Sequence, residues 1–234
     1  MNFFGDYFTR PGKGIPKDAP KKRGLALFFS ILGREFWNLV KLNLLFVLSC
    51  LPVITIPAAI TAMSRITLAM CEDSPYFLRE DYWAVFKREF GRALGMGAIY
   101  AAWIALSVIS GLMYLSAAEG QSFYWVLVAV CLLSLLLAVM SAFFTFPMLA
   151  RVQLSFGDIL RNALILSGGQ LQYNLPTAIL LGAAYLGAIN YVLFLIPIFL
   201  LIFFSLTNFI ATFCAYPGLK SYVFRASEGD DAPS

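Results

Sequence analysis

The polar residues with the clearest potential for chemistry lie around two prolines inside an otherwise apolar block. Proline removes a backbone donor and clashes with the preceding helical turn, so it leaves backbone carbonyls without partners. In membrane proteins such carbonyls, with nearby hydroxyl and amide groups, can contact a solute. The simpler interpretation, which we favour, is the turn of a helical hairpin. The candidate broken-helix or cavity residues are Asn43, Pro52, Thr55, Pro57, Thr61 and Arg65.

Two pairs of acidic residues form a second candidate site. The adjacent carboxylates at Glu72 and Asp73, and at Glu80 and Asp81, are of a kind that can hold a divalent metal ion in a membrane-embedded enzyme. We favour a solvated loop in which neighbouring bases neutralise these acids. The bases considered for that role are Arg79, Lys87 and Arg88.

Several common chemistries have no residues to carry them. The 234-residue chain has no histidine, which is the usual general base and the commonest metal ligand. Its four cysteines stand singly, and the sequence has no glycine-rich phosphate loop, no G-x-S-x-G and no H-E-x-x-H. We therefore predict a protein that is not an enzyme, with no catalytic residues, no metal site and no cofactor.

Composition determines the kind of element that holds these residues. Hydrophobic residues make up 60% of the chain and charged residues 13%, whereas a soluble domain carries about 25% charged residues. Residues 162–219 contain no charged side chain, and residues 93–149 contain only Glu119. Because about 20 apolar residues are enough for a helix to cross a bilayer, the sequence predicts an integral membrane protein.

We expect an all-α fold, a polytopic membrane helical bundle. It has about six membrane-embedded helices in three hairpins, each hairpin preceded by an interfacial amphipathic helix. The embedded helices are predicted at residues 36–51, 54–70, 93–116, 123–146, 171–187 and 191–215. The first block, with its two prolines, allows either one kinked span or a hairpin of two short helices, and such a hairpin either spans the bilayer or is re-entrant.

The distribution of basic residues favours the hairpin. All 17 Lys and Arg residues lie in segments that a hairpin places on one side of the membrane, and the turns at residues 117–122 and near residue 190 have none. Cytoplasmic loops carry the excess of basic residues in membrane proteins. A single kinked span would put the bases of residues 65–92 on the opposite side from the N-terminus, so we predict that both termini are cytoplasmic.

Three regions follow from this plan. Residues 1–23 are predicted to be a basic flexible cytoplasmic arm, residues 24–225 a single membrane domain, and residues 226–234 an acidic disordered tail. The basic excess is assigned to anionic lipid and not to nucleic acid, because aromatic and basic side chains of amphipathic helices meet lipid headgroups. The expected membrane-interface residues are Trp37, Trp83, Lys87, Arg88 and Arg151.

The segments W-N-L-V-K-L-N-L-L at residues 37–45 and C-L-P-V-I-T-I-P-A at residues 50–58 resemble the YesL family of bacterial integral membrane proteins. The run from Met63 to Arg65 and the F-P-M-L-A-R segment at residues 146–151 are similar to later motifs of that family. One departure is Pro57, close to where the family has glycine. The resemblance covers nearly the whole chain and implies a multi-pass protein of the bacterial cytoplasmic membrane.

The biochemical activity of the YesL family is unknown, so the resemblance implies a role only through associated genes. Those genes point to an accessory or transport-related component linked to carbohydrate uptake, with a sugar-uptake permease complex or a membrane sensor kinase as partner. Two alternatives stay open. In the first alternative, the chain is a stand-alone small-solute transporter with Asn43, Thr55 and Thr61 facing a cavity. In the second, it is a membrane-embedded lipid or glycan enzyme that uses the paired acids.

Overall fold

A computed structural model describes residues 24–118, 121–191 and 196–224, and within these ranges the regular elements are all helical. The predicted N-terminal arm, the acidic tail and the centre of the turn at residues 117–122 lie outside the described residues. The helices are α1 (Leu25–Ser49), a 3-10 turn (Val53–Thr55), α2 (Ile56–Glu72), α3 (Leu78–Arg88), α4 (Phe90–Ala117), α5 (Phe123–Arg151), α6 (Phe156–Gly169), α7 (Leu171–Asn190) and α8 (Ile196–Phe224).

Four of the helices described are long and apolar enough to cross a membrane. They are Val53–Glu72, Phe90–Ala117, Phe123–Arg151 and Ile196–Phe224. The chain is therefore a helical membrane protein by length and composition. Helices α1 and α7 are not in this set: α1 carries three charged side chains, and α7 begins with polar residues. The finer plan of six embedded helices in three hairpins stays a prediction.

Helix α2 is the centre of the bundle. It packs against α1, α3, α4, α5 and α8, and 67% of its apolar stretch is buried inside the protein, against 11% for α4. Its buried face is rich in alanine and in small hydroxyl residues, and such residues allow helices to approach closely where lipid surrounds them. The buried small residues are Ala58, Ala59, Thr61, Ala62, Ser64, Thr67 and Ala69.

A close approach fixes the start of α2 against α4. A Cβ atom on Gly97 would lie 2.2 Å from Pro57 Cγ, so this position accepts only glycine without a shift of the helices. Elsewhere on α4, a Cβ on Gly91 would meet no atom within 4 Å, and a Cβ on Gly95 would lie 3.3 Å from the ring of Phe156. The family resemblance leads us to expect glycine close to position 57. In this chain the proline at that position packs directly against a glycine of the neighbouring helix, Gly97.

The chain reverses direction between α1 and α2. Arg34, in the first part of α1, has its guanidinium 2.8 Å from the carboxylate of Asp73, the residue directly after α2. A single kinked helix would separate these two residues by its full length, so the structure has two helices that turn back on each other. The interfacial helix predicted before the first hairpin is not a separate element, because α1 is continuous from Leu25 to Ser49.

Helix α8 is irregular at both ends. Its centre, Phe204–Gly218, is α-helical, and the flanking segments Phe199–Phe203 and Leu219–Phe224 are π-helical. A π-turn is rare and shifts the backbone carbonyls out of the normal hydrogen-bond pattern. Both irregular segments therefore offer carbonyl groups that side chains of other helices can contact.

Candidate functional site

A cleft of about 460 Å³ lies between α2, α5, α7 and α8, with one residue of α1 at its edge. Its walls are almost entirely apolar, with Ile60, Phe143, Phe146 and Leu181 among the lining residues. It is partly open to the surroundings, and none of its lining side chains is charged. The volume lies in the range of about 300 to 1,000 Å³ that is usual for small-molecule sites.

Three polar residues that line the cleft, Ser64, Asn208 and Thr212, form a network between α2 and α8 together with Thr67. The Thr67 hydroxyl lies 2.9 Å from Asn208 Oδ1 and 3.0 Å from Thr212 Oγ1. Asn208 Nδ2 donates a hydrogen bond to Ser64 Oγ at 3.2 Å. Ser64, Thr67 and Thr212 are fully or almost fully buried. Because these groups bond to one another, the network joins the two helices at membrane depth, where an unsatisfied polar group is unfavourable.

Asn43 does not line the cleft but holds the first π-turn of α8. Its side chain is completely buried, and Nδ2 donates to the carbonyls of Phe199 and Leu200, both at 2.8 Å. Its Oδ1 accepts a hydrogen bond from the backbone N–H of Ser205 at 2.9 Å. The amide therefore supplies partners to the backbone groups that the π-turn displaces.

Thr55 and Pro52 form the turn between α1 and α2. The Thr55 hydroxyl lies 2.5 Å from the carbonyl of Ser49 and 2.5 Å from that of Pro52. The neighbouring apolar side chains Leu51, Val53 and Ile54 are 69 to 75% exposed. The structure thus uses Thr55 to satisfy carbonyls at a hairpin turn, which is the simpler of the two sequence interpretations.

The other candidate residues of the first block also have structural surroundings. The buried Thr61 hydroxyl donates to the carbonyl of Pro57 at 2.9 Å, one turn earlier in the same helix. Pro57 packs against Gly97, and Arg65 is half-buried on α2. The structure therefore does not bring the six candidate residues together around one cavity.

A set of ion pairs gathers helix ends at one end of the bundle, here called the charged end. Arg34 pairs with Asp73 there, and Glu72 at the end of α2 pairs with Arg151 at the end of α5. The Arg151 guanidinium also lies 4.5 Å above the ring of Phe224, the last described residue of α8. The start of α1 and the ends of α2, α5 and α8 therefore lie on the same side of the protein.

The partners of the paired acids differ from those predicted. Glu72 pairs with Arg151 and Asp73 with Arg34, whereas the sequence had pointed to Arg79, Lys87 and Arg88. The correct partners are remote in sequence, and only the folding of the helices brings them close. In the described part of the chain, no group of three or more potential metal ligands occurs.

Glu35 is the centre of a hydrogen-bonded group at the charged end. Its carboxylate accepts from Tyr76 Oη at 2.6 Å, from Asn38 Nδ2 at 2.8 Å and from Arg34 Nε at 3.0 Å. Burial opposes ionisation of Glu35, but these three donors outweigh it and lower the pKa of the carboxyl below its ordinary value. Burial and the adjacent carboxylate raise the pKa of the Tyr76 phenol. The group ties α1 to the connection between α2 and α3.

Glu89 is a buried carboxylate that sequence reasoning missed. Its side chain, 4% exposed, lies 2.7 Å from Arg88 Nε and 3.0 Å from Arg92 Nη1. Arg88 in turn donates to the carbonyl of Ala150 at 3.3 Å, and Arg92 donates to that of Leu154. The acid therefore holds two arginines in place over the end of α5. The E-x-x-R spacing at residues 89–92 was a signal for one of the two pairs.

The predicted membrane-interface residues lie in three different surroundings. Trp37 is 72% exposed, and Lys87 and Arg88 are exposed on α3. Trp83 is half-buried and packs edge-on against a neighbouring ring of the same helix. Arg151 is engaged in the ion pair described above. Their contacts with lipid stay a prediction.

Thr67, Asn208 and Thr212 were absent from the sequence-based candidates, although with Ser64 they form the polar network between α2 and α8. Ser64 and Thr67 lie three residues apart on one face of α2, and Asn208 and Thr212 lie four apart on one face of α8. That spacing within mostly apolar helices was a usable signal. The sequence did not show that the two faces meet.

Comparison with known proteins places part of the chain in context. Residues 39–111 match the family model described as "Protein of unknown function, DUF624". YesL proteins are members of that family, so the match supports the resemblance over these residues, and the YesL assignment of the chain stays a prediction. The matched segment contains the C-terminal part of α1, the proline turn, α2, α3 and most of α4. Neither the curated proteins nor the solved structures gave a match.

Proposed function

We propose that this chain is a non-enzymatic integral membrane protein of the bacterial cytoplasmic membrane that acts as an accessory or transport-related component in carbohydrate uptake. The observation that carries the accessory role is the use of polar side chains inside the bundle. Asn43, Thr55, Thr61 and the cleft network all bond to other parts of the protein. The link with carbohydrate rests on the resemblance to YesL proteins.

The proposed arrangement in the membrane has six embedded helices, with α1 and α7 added to the four apolar spans. The reversal between α1 and α2 supports it, because Arg34 of α1 and the C-terminal end of α2 then lie together at the charged end. The positive-inside tendency would place that end in the cytoplasm together with both termini. Its exposed bases, such as Lys87 and Arg88, would meet anionic lipid headgroups.

An accessory role fits these contacts better than a sugar carrier does. A hydrophilic solute needs hydrogen-bonding groups to replace its water, and an apolar wall supplies none. The cleft has apolar walls, and its hydroxyl and amide groups already have partners. The partner in uptake would be a sugar-uptake permease complex or a membrane sensor kinase, bound in the membrane.

A stand-alone small-solute transporter is the second candidate function. The observation in its favour is the cleft itself, which is large enough for a small molecule and lies between helices. Its lining favours an apolar or amphipathic solute over a sugar. An enzymatic role for the paired acids has less support, because Glu72 and Asp73 are each held in an ion pair with an arginine.

Two measurements separate these functions. The first compares uptake of a panel of radiolabelled oligosaccharides by a strain that lacks the gene and by the same strain carrying it on a plasmid. The second measures flux of the same sugars into vesicles that contain only the purified protein. For an accessory component we expect reduced uptake of at least one oligosaccharide in the deletion strain, restored by the plasmid, and no flux into the vesicles.

Each of the other results contradicts part of the proposal. Unchanged uptake of the whole panel in the deletion strain would remove the link with carbohydrate. Sugar flux into vesicles that hold this protein alone would establish a stand-alone carrier. Restored uptake by a gene in which Glu72, Asp73, Glu80 and Asp81 are all replaced by alanine would dispose of the enzymatic alternative.

A further inference from the structure

The cleft lies at the depth of lipid acyl chains. Ser64 precedes Glu72, at the charged end of α2, by eight residues, which is about 12 Å at 1.5 Å per residue. The hydrocarbon core of a bilayer is about 30 Å thick, so its centre is about 15 Å from each face. The α2 residues that line the cleft run from Ser64 back to Ile56, about 12 to 24 Å from Glu72, so with Glu72 at the interface the cleft lies around the centre of the core. A molecule that enters from the surrounding bilayer at this depth is an acyl chain.

The chemistry of the walls selects the same occupant. The lining is uncharged and mostly aliphatic and aromatic, and the network of Ser64, Thr67, Asn208 and Thr212 has its hydrogen bonds within the protein. A polar ligand would lose its bonds to water and gain few in return. A hydrocarbon chain loses none, and it gains dispersion contacts with the walls that a void would forfeit.

The side of the cleft formed by α7 is accessible from outside. Gly182 and Tyr185 line the cleft and are also exposed at the protein surface. A Cβ on Gly182 would meet no atom within 4 Å, so the backbone of α7 has open space beside it at this point. We propose that the cleft binds one acyl chain of a bilayer phospholipid, which enters beside Gly182. This site is independent of the role proposed in carbohydrate uptake.

A substitution at Gly182 fills the cleft with little disturbance of the fold. In Gly182→Phe the ring occupies space that is open in the native protein. Gly187→Phe is the matched control, because Gly187 is on the same helix, a Cβ there also meets no atom within 4 Å, and the residue does not line the cleft. Both variants replace a helical glycine, so their effects on helix propensity are similar.

The full-length protein and both variants are reconstituted in vesicles of a phospholipid that carries a photoactivatable diazirine on one acyl chain. After irradiation, labelled peptides are identified by mass spectrometry. Labelling of the lining residues Phe143 and Ala211 is expressed relative to that of Leu132 and Leu133, which are 61% and 66% exposed on α5 and act as an internal lipid-facing reference. A parallel arm uses a free fatty acid with the same diazirine.

We expect labelling of the lining residues in the native protein, a loss of at least fivefold in Gly182→Phe, and no loss in Gly187→Phe. The phospholipid probe should label them at least as well as the free fatty acid does. Labelling confined to the α5 reference residues of the native protein would overturn the proposal without any variant. So would equal labelling of the lining in the two variants, or labelling by the free fatty acid alone.

Discussion

The contact between Asn43 and the first π-turn of α8 makes a sharp prediction about stability. Asn43→Ala removes three hydrogen bonds, two to the carbonyls of Phe199 and Leu200 and one from the N–H of Ser205. At the average of about 0.6 kcal/mol for side-chain hydrogen bonds within membranes, the loss is about 2 kcal/mol. The buried N–H left without its partner adds about 1 to 2 kcal/mol. We therefore expect the free energy of unfolding to fall by about 3 to 4 kcal/mol.

The assay is unfolding of the purified protein in mixed micelles with increasing sodium dodecyl sulfate, followed by tryptophan fluorescence and far-UV circular dichroism. Asn190→Ala is the matched control. It removes the same side chain from an exposed position, where, among the described residues, Asn190 Nδ2 donates to the carbonyl of Leu186 in its own helix. We expect the control to change the free energy of unfolding by less than about 0.5 kcal/mol, as surface substitutions usually do.

Equal losses in Asn43→Ala and Asn190→Ala would refute the reasoning. That result would mean that the π-turn keeps its geometry, or relaxes to a regular α-helix, at no net cost when Asn43 is absent. Asn43→Asp provides a further check, because it retains an acceptor for Ser205 but loses both donors and places a carboxylate in a fully buried position. It should be at least as destabilising as Asn43→Ala.

Two further predictions concern the packing of α4 and the charged end. Gly97→Ala should destabilise the protein in the same assay by at least about 1 kcal/mol more than Gly91→Ala. The Cβ at position 97 would lie 2.2 Å from Pro57 Cγ, whereas a Cβ on Gly91 meets open space. Equal effects of the two variants would contradict the close approach of α2 and α4. Because the pKa of Glu35 is lowered in the folded protein, its contribution to stability is present above the ordinary value of 4.5 and is lost as the pH falls through the folded value. Glu35→Gln should therefore remove part of the loss of stability as the pH falls below 4.5, measured as unfolding midpoints. An unchanged pH profile would argue against that role.

The proline turn shows how far local sequence reasoning reached. Pro52 and Pro57, which flank Thr55, indicated a break in the helix. The structure has a hairpin turn there, with Thr55 bonded to the carbonyls of Ser49 and Pro52. These contacts are within a few residues in the chain, so turn chemistry determines them. The same reasoning failed for Asn43, because its partners are more than 150 residues away.

The charged end shows the same limit for ion pairs. The paired acids at Glu72 and Asp73 were expected to be neutralised, but the nearest bases in sequence were the wrong ones. Arg151 and Arg34 are the partners, and each belongs to another helix. Charge balance can be estimated from composition, whereas the identity of each pair depends on which helix ends come together.

The sequence by itself determined that this is a helical membrane protein with its bases in a few segments, because long apolar stretches leave only one stable way to satisfy the backbone in lipid. It also determined the position of the first turn. Only the tertiary structure decided that α2 is central, that Asn43 holds a π-turn of α8, and that Ser64 and Asn208 meet in an apolar cleft. In a bilayer all apolar faces are equally compatible with lipid, so the choice of neighbours depends on close packing and on polar contacts between residues remote in the chain.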